Sequence, residues 1–266
     1  MAANRYRADY YLFRHFLMGM GSFRDRKVGS HEAMKLIFGI NQPFKIRLEK
    51  QWLTARAALL SCKCPHFING EGDWQIVLWI DPGTSLWNVL RERSLRDRPW
   101  ALHDVKLSPV VEVVQTVGDT PDPQGALRIA ETLIRVYSGA HAVPATWDIG
   151  IKKAVGIIDN DPGLINARSL AKNLGISFED LNADFRRVLG SGLENYLHRR
   201  KWILYITHRQ NGSNRNEALR LSGLPGWEGL KNRFESQYGL DLEVLESSLP
   251  FVRVYEGPGD QPVLYL

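Results

Sequence analysis

The spacing of apolar residues divides the chain into a first part rich in strands and a second part that is mostly helical. Short apolar runs bounded by turn residues predict strands at Tyr10–Met20, Met34–Ile40, Phe44–Leu48, Ala57–Ser61 and Gln75–Ile80. Short strands at this spacing are typical of a barrel or a sandwich. Apolar residues at helical spacing then predict helices over Thr84–Arg93 and Gly125–Tyr137.

The stretch 169–197 has the pattern of a helix–turn–helix followed by a further helix. Gly175 comes directly after the apolar face of the first helix and suits the left-handed conformation that ends a helix. Ser177 and Asp180 form a variant of the capping box that begins the next helix. A second helix placed in this way can enter a DNA major groove.

A second copy of this pattern follows a long helix predicted over 191–208. In both copies an apolar pair precedes a glycine, and an apolar residue and a phenylalanine then follow four residues apart. The second copy consists of Ala218, Leu219, Gly223, Leu230 and Phe234. Two motifs separated by one helix can enter successive major grooves on one face of DNA.

These patterns predict four segments with different structures. A β-rich domain covers 1–140, a linker covers 141–146, a helical domain covers 147–246, and 247–266 form a hairpin or a tail.

Composition indicates an ordinary soluble globular protein. The chain has 266 residues, of which 44% are hydrophobic and 24% are charged. We find neither an apolar run of about 18 residues, as a membrane span needs, nor a signal peptide. With only two cysteines, close together in the sequence, we expect a cytoplasmic protein.

The net charge of +5 is weak support for a nucleic-acid partner, because the excess lies in the first half. Residues 147–266 contain 15 basic and 15 acidic residues. Local basic clusters are more informative, and each fits either phosphate contact or a solvated helix face. They are Arg186-Arg187, Arg199-Arg200-Lys201 and His208-Arg209.

The C-terminal half resembles the AraC/XylS family of bacterial transcription regulators over about 147–242. The first motif carries the resemblance through Leu170-Ala171, Gly175-Ile176-Ser177, Leu181, Phe185-Arg186, Gly190, Tyr196-Leu197 and Arg200. The second motif matches less fully, through Gly223-Leu224, Leu230, Phe234 and Tyr238-Gly239. Residues 1–140 resemble the cupin-type sensor domain that often precedes this domain, through His31, the run 39–52, Pro65-His66 and Asp81-Pro82.

The resemblance implies a fold class and a function. The expected fold is an N-terminal cupin-like β-barrel with flanking helices, followed by an all-α domain with two helix–turn–helix motifs joined by a long helix. The expected function is ligand-controlled regulation of transcription, without enzymatic activity, cofactor or metal. The expected partners are double-stranded DNA, RNA polymerase, a small-molecule effector and a second copy of the chain.

The resemblance also implies which side chains contact bases. These are Glu179, Asn182 and Ala183 in the first recognition helix, with Arg186 and Arg187 beside them, and Trp227, Glu228, Lys231 and Asn232 in the second.

Both recognition helices depart from the family pattern. Family members usually carry a larger or basic residue at the position of Ala183, and Asp180 and Asp184 add carboxylates near phosphates. Gly226 and Gly229 weaken the start of the second helix. We therefore expect the first motif to anchor the protein and the second to discriminate little between sequences.

Two further hypotheses compete with this interpretation. A regulator with degraded DNA recognition would act through protein contacts, which the acidic first recognition helix favours and the basic flanks oppose. A metal-dependent cupin enzyme would need Glu32 to join His31 and His66, although a neighbour of His31 on a strand points to the opposite face.

The first domain offers two candidate sites. Cys62, Cys64 and His66 share one face if they lie on a strand. With His31 nearby, they would form a metal site or a thiol sensor. The alternative is that they are ordinary buried side chains. The barrel interior is the expected effector site. Its expected lining is His31, Trp52, His66 and Trp79, together with Phe67 and Trp74.

Overall fold

The computed structural model describes most of the chain. The described ranges are 8–13, 16–23, 28–70, 72–82, 84–96, 98–103, 108–118, 121–138, 149–189 and 192–254. The linker predicted at 141–146 and the end of the tail from 255 onward lie outside them.

The N-terminal part contains a seven-stranded sheet that includes a strand from the C-terminal end of the chain. Its strands, in spatial order, are β10 (Val252–Val254), β1 (Ala8–Leu12), β2 (Phe16–Gly21), β8 (Gln75–Ile80), β3 (Met34–Gly39), β6 (Ala57–Leu60) and β9 (Trp100–His103). Strands β2, β3, β6 and β8 are buried along their whole length. These strands have continuous apolar sequences because both faces of the sheet are covered, so that side chains on either face need to be apolar.

A three-stranded sheet covers one face of the larger sheet. It consists of β5 (Gln51–Ala55), β4 (Phe44–Leu48) and β7 (His66–Asn69). Phe44, Ile46 and Leu48 are buried in the core that the two sheets share, whereas Lys45 and Arg47 on the same strand face away from it. The described strands therefore form a sandwich of two sheets, and the expected closed barrel is corrected to this arrangement.

Helices cover the other face of the larger sheet. They are α1 (Ser85–Val89), which continues as a π-helical turn over Leu90–Leu95, α2 (Ser108–Val117) and α3 (Pro123–Ser138). The buried stripe of α3 consists of Ala126, Ile129, Ala130 and Leu133. The expected helices at 84–93 and 125–137 are thus confirmed, and helix α2 was not predicted.

From 149 onward the described chain is helical except for β10. The helices are α4 (Ile149–Asn160), α5 (Ala167–Leu174), α6 (Phe178–Leu189), α7 (Leu193–Gln210), α8 (Arg215–Leu221), α9 (Trp227–Tyr238) and α10 (Leu242–Ser247). Helices α5 and α6 form the first helix–turn–helix, and α8 and α9 form the second. The expected two-part fold, strands followed by two helix–turn–helix motifs around a long helix, is confirmed.

Local sequence signals set the helix ends of the first motif. Asn166 caps α5 by accepting a hydrogen bond from the Ser169 amide at 2.8 Å. Gly175 ends that helix with φ of 71°. Ser177 Oγ accepts from the Asp180 amide at 3.0 Å, which confirms Ser177 as the N-cap of α6, and it donates to Asp180 Oδ2 at 2.7 Å.

The two motifs belong to different hydrophobic cores. Leu170, Leu181 and Phe185 of the first motif form a core with α4 and the start of α7. Leu230 and Phe234 of the second motif belong instead to the core that fills the space between the two sheets. The second motif is therefore built onto the N-terminal domain.

Candidate nucleic-acid interface

The first recognition helix, α6, presents an exposed face of mixed charge. Glu179, Ala183, Arg186 and Arg187 are exposed on it. Asp184 forms an ion pair with Arg187 at 2.7 Å, so this carboxylate offsets the charge of a neighbouring arginine. On this face the methyl group of Ala183 is the one small apolar side chain, and it lies between carboxylates and guanidinium groups.

Asn182 has a structural contact on the same helix. Its Oδ1 accepts a hydrogen bond from the backbone amide of Leu193 at 3.0 Å and so caps the first turn of α7. Its side chain is half-buried as a result. Sequence reasoning missed this role, because Asn182 and Leu193 belong to different helices.

The second recognition helix, α9, has two of its four predicted base-contacting side chains in intramolecular contacts. The Arg215 guanidinium lies 3.8 Å from the centre of the Trp227 ring. Lys231 Nζ is 2.9 Å from Glu243 Oε1. Glu228 and Asn232 are exposed.

The expected effector site in the N-terminal domain is partly wrong. Trp52 is 51% exposed and stacks edge-on with Phe67 on the outer face of the smaller sheet, so it cannot line an interior cavity. Trp74 is also exposed. Trp79 is buried and packs against Phe23 within the core.

His31 and His66 do come together, as buried side chains whose ring centres are 5.1 Å apart. His66 Nε2 accepts a hydrogen bond from Lys35 Nζ at 2.8 Å. Burial, and next the charge of Lys35, lowers the pKa of His31 to about 2 and that of His66 to about 3. Both rings are therefore neutral at physiological pH.

The expected cysteine site is not formed. Strand β7 begins at His66, so Cys62 and Cys64 lie in the preceding turn, where Lys63 has φ of 59° and breaks the alternation of a strand. Burial raises the pKa of the Cys64 thiol to about 11, which opposes a reactive thiolate. Within the described residues, no three His, Cys, Asp or Glu side chains are grouped to hold a metal ion.

Sequence reasoning missed a buried polar network between the two parts of the chain. Arg199 of α7 is 5% exposed and donates to the carbonyl oxygens of Phe13, at 2.8 Å, and Phe16, at 2.7 Å. It also donates to the hydroxyl of Tyr238 at the end of α9. Asp81, at the end of β8, accepts from that hydroxyl at 2.6 Å.

Burial raises the pKa of Asp81, and the charge of Arg199 and hydrogen bonds from Tyr238 and Gln237 oppose that rise. Arg199 Nε lies 3.7 Å from Asp81 Oδ2, so the two buried charges compensate each other. The basic run containing Arg199 was a candidate for phosphate contact. For Arg199 that hypothesis is wrong, and the neighbouring Arg200 is paired with Asp159 at 2.8 Å.

A cleft of about 100 Å³ lies beside this network, between the N-terminal domain and helices α7 and α9. Glu32, Asn195, His198 and Arg233 line its polar side. Burial lowers the pKa of His198 to about 4, and the nearby arginines, first Arg233, contribute to this shift. His198 is therefore neutral at physiological pH.

No protein-family model and no curated protein matches the sequence. Several solved structures are similar to the chain. An apo variant of ToxT from Vibrio cholerae strain SCE256 is 13% identical, with 90% of this chain and 99% of that chain covered at a TM-score of 0.47. Fatty-acid-bound wild-type ToxT from the same strain is 11% identical, with coverage of 87% and 95% and a TM-score of 0.46. The AraC-like transcriptional activator CuxR is 12% identical, with coverage of 81% and 84% and a TM-score of 0.35.

Among the helices that the structure describes, none is both long enough and apolar enough to cross a membrane.

Proposed function

We propose that this protein is a sequence-specific DNA-binding regulator of transcription of the AraC/XylS type. The observation that carries the proposal is the pair of helix–turn–helix units, each of which leaves one face of the N-terminal half of its recognition helix exposed. Glu179 and Ala183 on α6, and Glu228 and Asn232 on α9, lie on these exposed faces. In helix–turn–helix proteins these positions contact base edges.

The first motif also provides positive charge for the DNA backbone. Arg186 and Arg187 are exposed in the last turn of α6. A phosphate contact from either arginine releases counterions, which makes affinity fall as salt rises. Glu179 is compatible with base recognition, because a carboxylate can accept a hydrogen bond from cytosine N4.

Replacing Arg186 with alanine tests the backbone contact. DNA fragments bound by the wild-type protein are first mapped across the genome, and affinity for one of them is then measured by fluorescence anisotropy over a salt series. We expect Arg186→Ala to weaken binding to all sequences alike and to reduce the slope of log Kd against log salt by about 1.

The matched control for Arg186 is Arg128, an exposed arginine on helix α3 of the N-terminal domain. Arg128→Ala removes the same charge and should leave the slope unchanged. Equal slopes for wild type and Arg186→Ala would exclude the phosphate contact, and genome mapping without enriched sites would reject DNA recognition as a whole.

A regulator that acts through protein contacts is the second candidate function. It is favoured by the exposed carboxylates of α6, Glu179 and Asp180, and by the use of Asn182 to cap α7. The same salt series separates the two candidates, because protein contacts alone give no steep dependence of DNA affinity on salt.

The remaining expected partners follow from the family resemblance and stay predictions. They are RNA polymerase, a second copy of the chain and a small-molecule effector, in a cytoplasmic setting. The described interior of the sandwich is filled by side chains such as Phe44 and Trp79, so an effector bound there would have to displace them. We propose no enzymatic activity.

A further inference from the structure

Helix α9 has few local features that stabilise its N-terminal end. Its N-cap residue, Gly226, makes no side-chain capping hydrogen bond. A second glycine, Gly229, lies in the first turn and costs up to ~1 kcal/mol relative to alanine. A helix of 12 residues with such an end is marginal by itself, so tertiary contacts must hold it.

The N-terminal domain provides these contacts at the opposite end of the helix. The backbone amide of Glu32 donates to the carbonyl of Ser236 at 3.0 Å, and that of Ala33 donates to the carbonyl of Gln237 at 2.8 Å. Carbonyls in the last turn of a helix have no partner within the helix. The segment just before β3 therefore caps the C-terminal end of α9.

The residue that ends α9 is packed directly against the same segment. Gly239 has φ of 68°, and a Cβ atom built on it would lie 2.8 Å from Cδ2 of His31. His31 cannot yield easily, because its Nδ1 lies 2.8 Å from the carbonyl oxygen of Ala33 and its own carbonyl accepts from the Lys63 amide at 2.7 Å. A side chain at position 239 would therefore force the end of α9 and His31 apart.

The buried network adds a charged contact at the same place. Tyr238 is hydrogen-bonded to both Arg199 and Asp81, and all three residues are buried. We name the whole contact the interdomain joint; it consists of residues 31–33, Asp81, Arg199 and residues 236–239.

The joint holds the C-terminal end of α9 and leaves a face toward the other end exposed. Glu228 and Asn232, which lie toward the N-terminal end, are exposed to solvent. The joint therefore orients the surface that would face DNA without covering it.

We infer that the N-terminal domain positions the second recognition helix for DNA, and that the residues of the interdomain joint are positioning residues for sequence recognition. This inference rests on the proposed function and deepens it. Holding α9 in place before binding reduces the conformational freedom that is lost in the complex, which raises affinity. Disrupting the joint should therefore weaken recognition by α9.

Gly239→Ala is the central variant, and Gly175→Ala is its matched control. Gly239 ends α9 and Gly175 ends α5 with nearly equal φ, 68° and 71°, but a Cβ on Gly175 meets nothing within 4 Å. Both substitutions thus impose the left-handed conformation on alanine, and only Gly239→Ala also collides with His31. The double variant His31→Ala/Gly239→Ala removes that collision.

The probe is a duplex selected by the full-length wild type from a random-sequence pool, together with a copy whose half-site for the second motif is scrambled. The ratio of the two Kd values measures recognition by α9, and a wild-type ratio near 1 would overturn the inference, because the second motif would then discriminate as little as its sequence predicts. We expect this ratio to fall about tenfold in Gly239→Ala, equivalent to ~1.4 kcal/mol. It should stay within about threefold of wild type in Gly175→Ala and recover in the double variant.

Hydrogen exchange of the α9 amides, measured without DNA, shows separately whether the joint has opened. Protection should be lost in Gly239→Ala and kept in Gly175→Ala. Asp81→Asn is a milder variant, because it keeps the size of the side chain. It should lower the Kd ratio and the protection of the α9 amides, as Gly239→Ala does, and it replaces that variant if Gly239→Ala does not fold.

Tighter DNA binding by Gly239→Ala would overturn the inference, because the joint would then mask α9. An unchanged Kd ratio despite lost protection would also overturn it, while leaving the proposed function intact. If the wild type selects no duplex, the proposed function fails, and the inference fails with it.

Discussion

Glu246 illustrates how single residues hold the second motif together. This carboxylate is 8% exposed and accepts hydrogen bonds from Tyr205, Arg209 and Arg215. Burial by itself would raise the pKa of Glu246, but hydrogen bonds from Arg215, Tyr205 and Arg209 outweigh it and lower the pKa below its usual value. The charged form is therefore favoured in the folded protein.

Glu246→Gln should lower the free energy of unfolding at neutral pH by about 3 kcal/mol, because two arginines lose their partner. In the wild type, the carboxylate stabilises the fold above its unfolded pKa of about 4.3. This contribution is lost as pH falls through the lower folded pKa. Both effects can be measured by denaturant unfolding at a series of pH values from about 3 to about 7, which spans the unfolded pKa.

The control for this prediction is Glu243→Gln, which removes an exposed carboxylate paired with Lys231. An exposed ion pair contributes about 0–1 kcal/mol. Equal losses from the two variants would contradict the assigned role of Glu246.

At the scale of elements, the turn of the second motif packs closely on the loop that precedes the first motif. Gly223 follows α8 with φ of 61°, and a Cβ atom on it would overlap the carbonyl oxygen of Gly163, in the loop between α4 and α5. The second motif therefore contacts the loop that leads into the first motif, in addition to being joined to the first motif through α7.

Gly223→Ala should destabilise the protein by about 2 kcal/mol more than Gly212→Ala, since overpacking adds to the cost of the left-handed conformation. Gly212, in the turn after α7, also has positive φ, but a Cβ on it meets nothing within 4 Å. Thermal unfolding of the two variants measures the difference. Equal transitions would mean that the loop around Gly163 moves away at little cost.

At the scale of the whole molecule, the hydrophobic cores of the described structure do not follow the division into a β-rich and a helical domain that the sequence predicts. The second motif shares the core of the N-terminal sandwich, and β10 pairs in parallel with β1, with Tyr10 opposite Val252. The first motif has its own core. We therefore expect one large cooperative unit and one small one.

Native-state hydrogen exchange at low denaturant should reveal these two units. Amides of α9 should exchange with the same opening free energy as those of β2 and β8, and amides of α5 and α6 should exchange with a different one. If α9 followed α6 instead, the two motifs would form one helical domain, as the pattern along the chain predicts.

The sequence by itself determined the features that depend on neighbours a few residues apart. Local periodicity fixes the strand limits Phe44–Leu48 and Gln75–Ile80. Local hydrogen bonding and backbone conformation fix the N-cap at Ser177 and the αL end at Gly175. Two helix–turn–helix motifs were predictable for the same reason.

Only the tertiary structure decided what the charged and aromatic residues do. Arg199 binds carbonyls 183 and 186 residues away, and Trp52 lies on the outer face of its sheet. A basic run has the same sequence pattern whether it faces phosphates or is buried against carbonyl oxygens, and an alternating strand does not show which face meets the core. These choices depend on packing between distant segments, and that packing placed the second recognition helix on the N-terminal domain.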